Sequence, residues 1–405
     1  MFFIMAWRNI WRNTRRTAVI LTAIVIGVWS MILLGSLMRG MLTTMVENGI
    51  ATLTGHVQVH AKGYRADPVI ENSLTNPGQA EAAVEKILPL GGHWAARVRV
   101  NAVANNARHA SGVTLVGIDP EKEAEVSFIG RAVKEGRYLK PGDKYGVVVG
   151  KALLEKFETR LGHKLVVMSQ DTTKQIASRA FTIVGVFNAD LEATEKEFIF
   201  ITKHAAQDML KLKDGVSEIA VLLPKDADVK SFAQRLSAAL PGPYEIQTWQ
   251  ELQPMLEAYL SIFNGFIAIW NLVIFIAMAF GIVNTTLMAV YERIREFGLL
   301  KALGMKPRWI VQEVLTQSFF LLLLGMAAGN GLAWLSVRGL SGGIDLSAFA
   351  AGAQYFGMSR VIFPEIAVGD VVLANVVAFS LGLLVSAYPA LKASRFTPVK
   401  ALAHN

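Results

Sequence analysis

Two stretches of this 405-residue chain set side chains at spacings that could support chemistry at first sight. His56 and His60 share one face of the alternating run HVQVHA with Gln58, and two imidazoles so placed could supply two metal ligands. The sequence points to no third ligand, so the run reads as the solvated face of a strand and no metal site is expected. GVVVGKA, from Gly146, has the glycines of a phosphate loop, but its spacing differs from GxxxxGK, and no Ser or Thr follows Lys151. No catalytic residue, no bound cofactor and no nucleotide-hydrolysing machinery is expected in this chain.

A third stretch, YERIREFGLLKALGMKPR from Tyr291 to Arg308, suits mechanical work better than catalysis. Ile294, Phe297, Leu300 and Leu303 recur at helical spacing, while Glu292, Arg293, Arg295 and Glu296 give the first turns mixed charge. Gly304 followed by Pro307 is a stop and restart signal. An amphipathic helix ending in a hinge can drop its apolar edge into a groove on another protein. An anionic leaflet would repel Glu292 and Glu296, which favours a protein partner over lipid. The residues expected to couple to it are Glu292, Arg293, Arg295, Glu296, Phe297, Leu300, Leu303 and Gly304.

That hairpin must be held between apolar segments. Residues 17–38, 262–290, 309–337 and 366–391 are each long enough for the roughly 20 residues that cross a bilayer. Arg and Lys crowd residues 1–16, the hairpin at 291–308 and the tail at 392–405, whereas the connection at 338–365 carries only Arg338 and Arg360. By the positive-inside rule both termini and the hairpin face the cytosol, and 39–261 and 338–365 lie outside. In the first segment Phe3, Trp7, Ile10 and Trp11 form one helical stripe beside Arg8, Arg12, Arg15 and Arg16, the pattern of an interfacial helix. The following run is too long for a signal-peptide core and lacks a cleavage site, so an uncleaved helix is expected.

Small residues recur every fourth position within the spans: Ala277, Gly281, Thr285 and Ala289; Gly325, Gly329 and Ala333; Ala378, Gly382, Ser386 and Ala390. Such stripes let helix backbones approach closely. The polar residues Asn271, Asn284, Gln317, Asn330 and Asn375 are neutral, which suits hydrogen bonding and argues against an ion-driven carrier. The outer segment alternates strand runs with helical stretches without a strict βαβ rhythm, which predicts an α+β domain. With 53% hydrophobic and 18% charged residues and a net charge of +8, the composition fits a membrane protein whose basic pieces meet anionic lipid. No nucleic-acid-binding motif accompanies the charge, and the absence of cysteine excludes disulfides.

MAVYERIREFGLLKALGMKP resembles the coupling segment of ABC-transporter permeases of the FtsX-like class, and YPALKASRFTPVKAL, Tyr388 to Leu402, resembles their closing motif. AWRNIWRNTRRT and YEIQTWQEL are similar to segments of the lipoprotein-releasing (LolC/LolE) and macrolide-efflux (MacB) permeases. The resemblance implies a multi-pass protein of the inner membrane, N-in and C-in, with four transmembrane helices and a large MacB-like periplasmic domain between the first two. It implies a second permease copy and a cytosolic ABC ATPase that binds ATP and Mg and drives the helices by mechanotransmission, along with a periplasmic acceptor protein. The chain departs from the macrolide-efflux type by lacking a fused ATPase and from ten-span members by having four spans. The cargo expected is lipoprotein or another lipid-anchored molecule; efflux of a small amphiphile or peptide, and signalling to a cell-wall hydrolase without transport, are the alternatives. An extractor needs an apolar chamber, for which the outer halves of the first two spans offer Met31, Leu34, Met38, Ile262, Phe263, Phe266 and Ile267.

Overall fold

A computed structural model describes residues 2–345 and 361–396. Arg360, Lys400 and the closing segment from Thr397 lie outside the described residues, as does the side chain of Phe3. The described residues form two compact units, a helical one comprising 2–43, 259–345 and 361–396, and a sheet unit built on 44–258.

The helical unit is built from helices Thr14–Gly49, Pro254–Glu292, Pro307–Gly339 and Val368–Ser394, each long and apolar enough to cross a membrane. Thr14–Gly49 continues past the expected end of its span because the sequence beyond Met38 offers no proline and keeps Met41, Leu42 and Met45 buried. The small-residue stripe of the third membrane helix seats the first: a Cβ on Gly325 would lie 2.5 Å from Ile24 Cγ2, and one on Gly329 2.9 Å from Val28 Cβ. The fourth packs on the third through Ala378, Gly382, Ser386 and Ala390, all buried, with Gly382 against Leu322. Asn330 and Asn375 exchange amide hydrogen bonds of 2.7 and 2.9 Å between these two helices. The stripe on the second helix is only partly used, since Ala277 is exposed while Gly281 faces Ala23. Arg39 forks onto both carboxylate oxygens of Asp370 at 2.9 and 2.8 Å, tying the first helix to the start of the fourth.

The sheet unit is α+β. Its strands are β1 (Val57–Ala61), β2 (His93–Asn105), β3 (Ala110–Ile118), β4 (Val133–Gly136), β5 (Gly146–Gly150), β6 (Lys164–Gln170), β7 (Ile176–Phe187), β8 (Phe198–Thr202), β9 (Glu218–Leu222) and β10 (Tyr244–Thr248). The pairings β2-β3-β8-β5-β7-β6 return to β2 and close a ring of six strands. Closure leaves no free edge in the ring, and its interior is filled by side chains including Val100, Leu115, Val149, Phe181 and Ile199. The long β2 serves two sheets: His93–Arg97 pairs with β9, and the residues from Val98 pair with β3. Beyond β9 the order continues to β1 and β10, and helices Gly78–Ile87 and Val229–Ala239 contribute Val84, Phe232 and Leu236 to the core that covers this open sheet.

The position of β1 corrects the expectation of a solvated face at His60. Because β1 lies between β9 and β10, Gln58 and His60 are buried. His60 contacts Ser217 O and Gln58 Oε1 and stacks on Tyr64, while His56 Nδ1 accepts from Leu223 N at 3.0 Å. Both imidazoles are thus satisfied by structural partners, and among the described residues no group of three His, Asp or Glu side chains could hold a metal.

Where the first long helix gives way to β1, a π-helical turn, Ile50–Thr54, carries Leu53 at φ +69°. This left-handed conformation is unfavourable for leucine and must be held by its surroundings. Arg97, with 0% exposure, supplies the hold: its guanidinium donates to Leu53 O and is paired with Glu123 at 2.8 Å and Glu218 at 3.2 Å. Burial opposes its charge, but the two carboxylates outweigh that and raise its pKa.

Candidate functional site

The hairpin is assembled from one helix, Ile294–Ala302, between the ends of the second and third membrane helices. Gly304 takes φ +91°, and the amides of Gly304 and Met305 return to Lys301 O and Leu300 O, the left-handed closure that favours glycine after a helix. Pro307 then occupies the first turn of the next helix, where its missing N–H costs nothing.

The charges expected to meet a partner are instead engaged within the chain. Glu296 receives Arg12 at 2.6 Å and Arg293 at 2.9 Å; Arg293 reaches Glu313 of the third membrane helix at 2.6 Å; and Glu313 accepts from Asn9 at 2.9 Å. Since Asn9 and Arg12 both belong to helix Phe2–Arg12, these contacts close a ring through three elements. Arg16 adds a bond of 2.8 Å to Glu292. Burial opposes ionisation of Glu296, but hydrogen bonds from Arg293 and Arg12 outweigh it and hold the carboxyl below its ordinary range. The acidic pair that argued against lipid therefore has internal partners: the arginines of the N-terminal segment. On the opposite side Lys301 Nζ donates to Ser394 O and Phe396 O, both at 2.7 Å, fastening the hairpin to the end of the fourth membrane helix.

The apolar edge is divided in the same way. Ile294 and Phe297 are buried, and Phe297 packs with Val290, Ile310, Val314 and Ala390, which holds the hairpin on the helix bundle. Leu300 is half-buried, while Leu299 and Leu303 are exposed, Leu303 at 77%. Leu300, Leu303, Gly304, Met305, Lys306 and Trp309 surround a shallow surface pocket of about 390 Å³. The apolar side chains left exposed are therefore those towards the hairpin tip, not those of the Phe297 edge. Helical spacing identified the apolar positions but could not tell which of them the bundle would claim.

The residues expected to line a cargo chamber do not share one environment. Met31 and Ile267 are buried, Met31 in the helix core beside Phe275 and Met278. Leu34, Met38 and Phe263 are half-buried, whereas Ile262 and Phe266 are exposed. The last two belong to a longer apolar face on the second membrane helix that also exposes Ile269, Val273, Ile276 and Phe280.

Residues 17–239 match the family model of the MacB-like periplasmic core domain, and residues 268–398 match the FtsX-like permease C-terminal domain. The chain is an FtsX-like ABC permease. The sheet unit of this permease is its MacB-like domain, placed in the chain between the first membrane helix and the other three. The permease is 23% identical to the lipoprotein-releasing system transmembrane protein LolC of Xylella fastidiosa over 376 residues, 88% of this chain and 86% of that protein. It is 26% identical to the pyoverdine export ATP-binding/permease protein PvdT of Pseudomonas syringae pv. tomato, over 98% of this chain and 58% of that one. Among solved structures, the periplasmic region of MacB from Actinobacillus actinomycetemcomitans aligns at 15% identity and a TM-score of 0.37, covering 53% of the permease and 97% of that chain. Membership of the ABC permeases implies an ATPase partner for this subunit.

Proposed function

We propose that this permease works by mechanotransmission, with a separate cytosolic ATPase docking on the hairpin tip and its ATP-driven closure moving the membrane helices and the MacB-like domain. The observation that carries the proposal is the anchoring of the hairpin: Arg12 and Arg16 hold one side and Lys301 the other, while Leu299 and Leu303 remain exposed at the tip. A segment fixed to three membrane helices and the N-terminal helix transmits force instead of flexing under it. ATP and Mg belong to the partner, and this chain acts as the non-catalytic subunit in the inner membrane, N-in and C-in, with its sheet domain in the periplasm.

The cargo is lipoprotein or another lipid-anchored molecule, a reading supported by the alignment with a lipoprotein-releasing protein over most of both chains. Export of a small amphiphile is the second reading, favoured by the match to a pyoverdine exporter over 98% of this chain. A second permease copy covers the exposed face of the second membrane helix, because Asn284 lies exposed along it and an amide facing hydrocarbon needs a hydrogen-bond partner. A periplasmic acceptor would take the released cargo.

Proteoliposomes holding the permease and its ATPase, loaded with an acylated lipoprotein and then with a siderophore-like amphiphile, separate the two cargo readings. ATP-dependent release of the acylated protein into solution is expected. Release of the amphiphile alone would select the second reading, and release of neither would remove transport as the function.

A further inference from the structure

Gln317 is one of the neutral polar residues of the membrane helices, and the coupling mechanism gives it no role. It lines a small cavity of about 20 Å³ at the root of the hairpin, together with Thr286, Ser318 and Arg293. Thr286 comes from the second membrane helix, Gln317 and Ser318 from the third, and Val314 and Leu321 belong to the apolar part of the wall.

Thr286, Ser318 and Arg293 are each more than nine-tenths buried. Hydroxyls inside a helix commonly bond back to the carbonyl four residues earlier, as Ser386 does to Gly382 O at 2.8 Å and Thr285 does to Gly281 O. The hydroxyls of Thr286 and Ser318 make no such bond, and neither they nor the Gln317 amide has a hydrogen-bond partner among the described residues. Arg293 gives Nε to Glu296 and Nη2 to Glu313, which leaves Nη1 without a partner among the described residues. Each such group left unpaired away from solvent costs free energy, and all four line the same cavity.

Size and charge select what would pair with them. About 10–15 Å³ of room for its centre is enough for a water, so one water fits here and a larger molecule does not. Two carboxylates already balance Arg293, so no positive charge is left over to hold an anion, while the guanidinium opposes a metal cation. A buried water makes about three hydrogen bonds, and this set offers donors in Arg293 and the two hydroxyls and an acceptor in the Gln317 carbonyl.

We infer that this cavity is a hydration site whose water bridges Thr286 and Ser318 to Arg293 and donates to Gln317 Oε1. Such a bridge is enthalpically nearly as good as a direct bond. A water also reorients as the groups around it move, so Arg293 stays bonded while the second and third membrane helices shift against each other. The assignment stands apart from the docking and cargo readings, because it is measured on the permease alone.

The test uses the full chain in phosphatidylcholine nanodiscs, oxidised by millisecond X-ray radiolysis and mapped by peptide mass spectrometry. Hydroxyl radicals born from a bound water mark the side chains beside it, however buried those are. Oxidation of Phe297, Val314 and Leu321, all buried on the cavity wall, is expected, with exposed Leu303 marked as the positive control and buried Ile24, which is not on that wall, unmarked. Ala289→Val, which fills the cavity from its lining, should lose the three marks, and Thr286→Val, which removes a hydroxyl at nearly constant volume, should weaken them. Thermal unfolding in potassium chloride and in potassium gluconate should give equal midpoints. A wild-type protein oxidised at Leu303 but at none of the three wall residues would overturn the inference, and that measurement decides even where Ala289→Val fails to insert. Marks that persist at wild-type level in a folded Ala289→Val protein would overturn it too, as would a chloride-dependent rise in midpoint that Thr286→Val removes, which would assign the site to an anion.

Discussion

Arg97 donates to the carbonyl of Leu53, so a fully buried guanidinium holds the strained turn through which the first long helix becomes the sheet domain. The same guanidinium pairs with Glu123 and Glu218, and both carboxylates are as buried as their partner. A buried ion cluster is costly to assemble and costlier to break, since removing one member strands the others. Arg97→Met should therefore destabilise the domain by roughly 3–5 kcal/mol. Combining it with Glu123→Leu and Glu218→Leu should recover much of that loss, although Leu53 O would still lack its donor. Urea midpoints of protease resistance for the full chain measure the order; a triple variant less stable than the single would contradict it.

The ring around Arg293 divides into an exposed and a buried half. Arg12 and Glu296 are 55% and 43% exposed, so their pair should contribute only about 0–1 kcal/mol. Arg293 and Glu313 are nearly buried, and Arg293→Ala would leave Glu313 without its cation. Thermal unfolding of the full chain should show Arg12→Ala close to wild type and Arg293→Ala well below it. In a double-mutant cycle with Glu313→Gln, the coupling should amount to about 1–3 kcal/mol. Additive effects would show that the contact does not matter energetically.

His56 sets a pH dependence. Burial lowers its pKa below the ordinary 6.5, and its Nδ1 accepts from Leu223 N, a bond that protonation would destroy. Between the lowered folded value and 6.5 the unfolded chain binds more protons, so stability rises with pH across that window. The domain should be at full stability above about pH 6.5 and lose stability as the pH falls through the folded pKa. His56→Asn keeps an acceptor near Leu223 N without a titrating ring and should reduce the slope in that window, leaving the part contributed by His60, whose pKa burial also lowers, as read from unfolding midpoints between pH 5 and 8. An unchanged slope would assign the dependence to other groups.

Much of this architecture was legible from periodicity and charge. The apolar runs are the four long helices, and the alternating or β-branched runs HVQVHA, RVRVNAV, GVTLVGI, GVVVG, KLVVM, FTIVGVF, EFIFI and EIAVLL fall on β1 to β3 and β5 to β9. β4 escaped notice because VKEG has no apolar alternation and is held by pairing to β7. Helix Pro120–Val126 had a signal that could have revealed it: Asp119 caps it, accepting from Glu121 N, and Pro120 opens it. Thr248 and Glu251 likewise form a capping box before the second membrane helix. At the site, the spacing of Ile294, Phe297, Leu300 and Leu303 marked a helix face, but only packing against Ile310 and Ala390 shows that its first half faces inward. The partners of Glu292 and Glu296 were out of reach for a different reason: Arg16 and Arg12 stand 276 and 284 residues away in sequence.

The division of the hairpin yields opposite outcomes for two substitutions of the same kind. Phe297 has 0% exposure and packs among Val290, Ile310 and Ala390, so an aspartate there buries an unpaired carboxylate and should prevent the hairpin from docking on its own bundle. Leu303 is 77% exposed at the tip, so Leu303→Asp meets solvent in the isolated permease and should leave insertion and thermal stability within about 0.5 kcal/mol of wild type. If the ATPase covers the tip, that same carboxylate is desolvated on docking, and recovery of the ATPase from membranes should fall at least tenfold. Leu299→Asp, also exposed, should behave like Leu303→Asp, and Arg12→Ala should not, because its charge serves the internal ring. The measurement is co-purification of the ATPase with each variant at matched membrane levels. Wild-type recovery with both Leu303→Asp and Leu299→Asp would move the docking surface away from the hairpin tip.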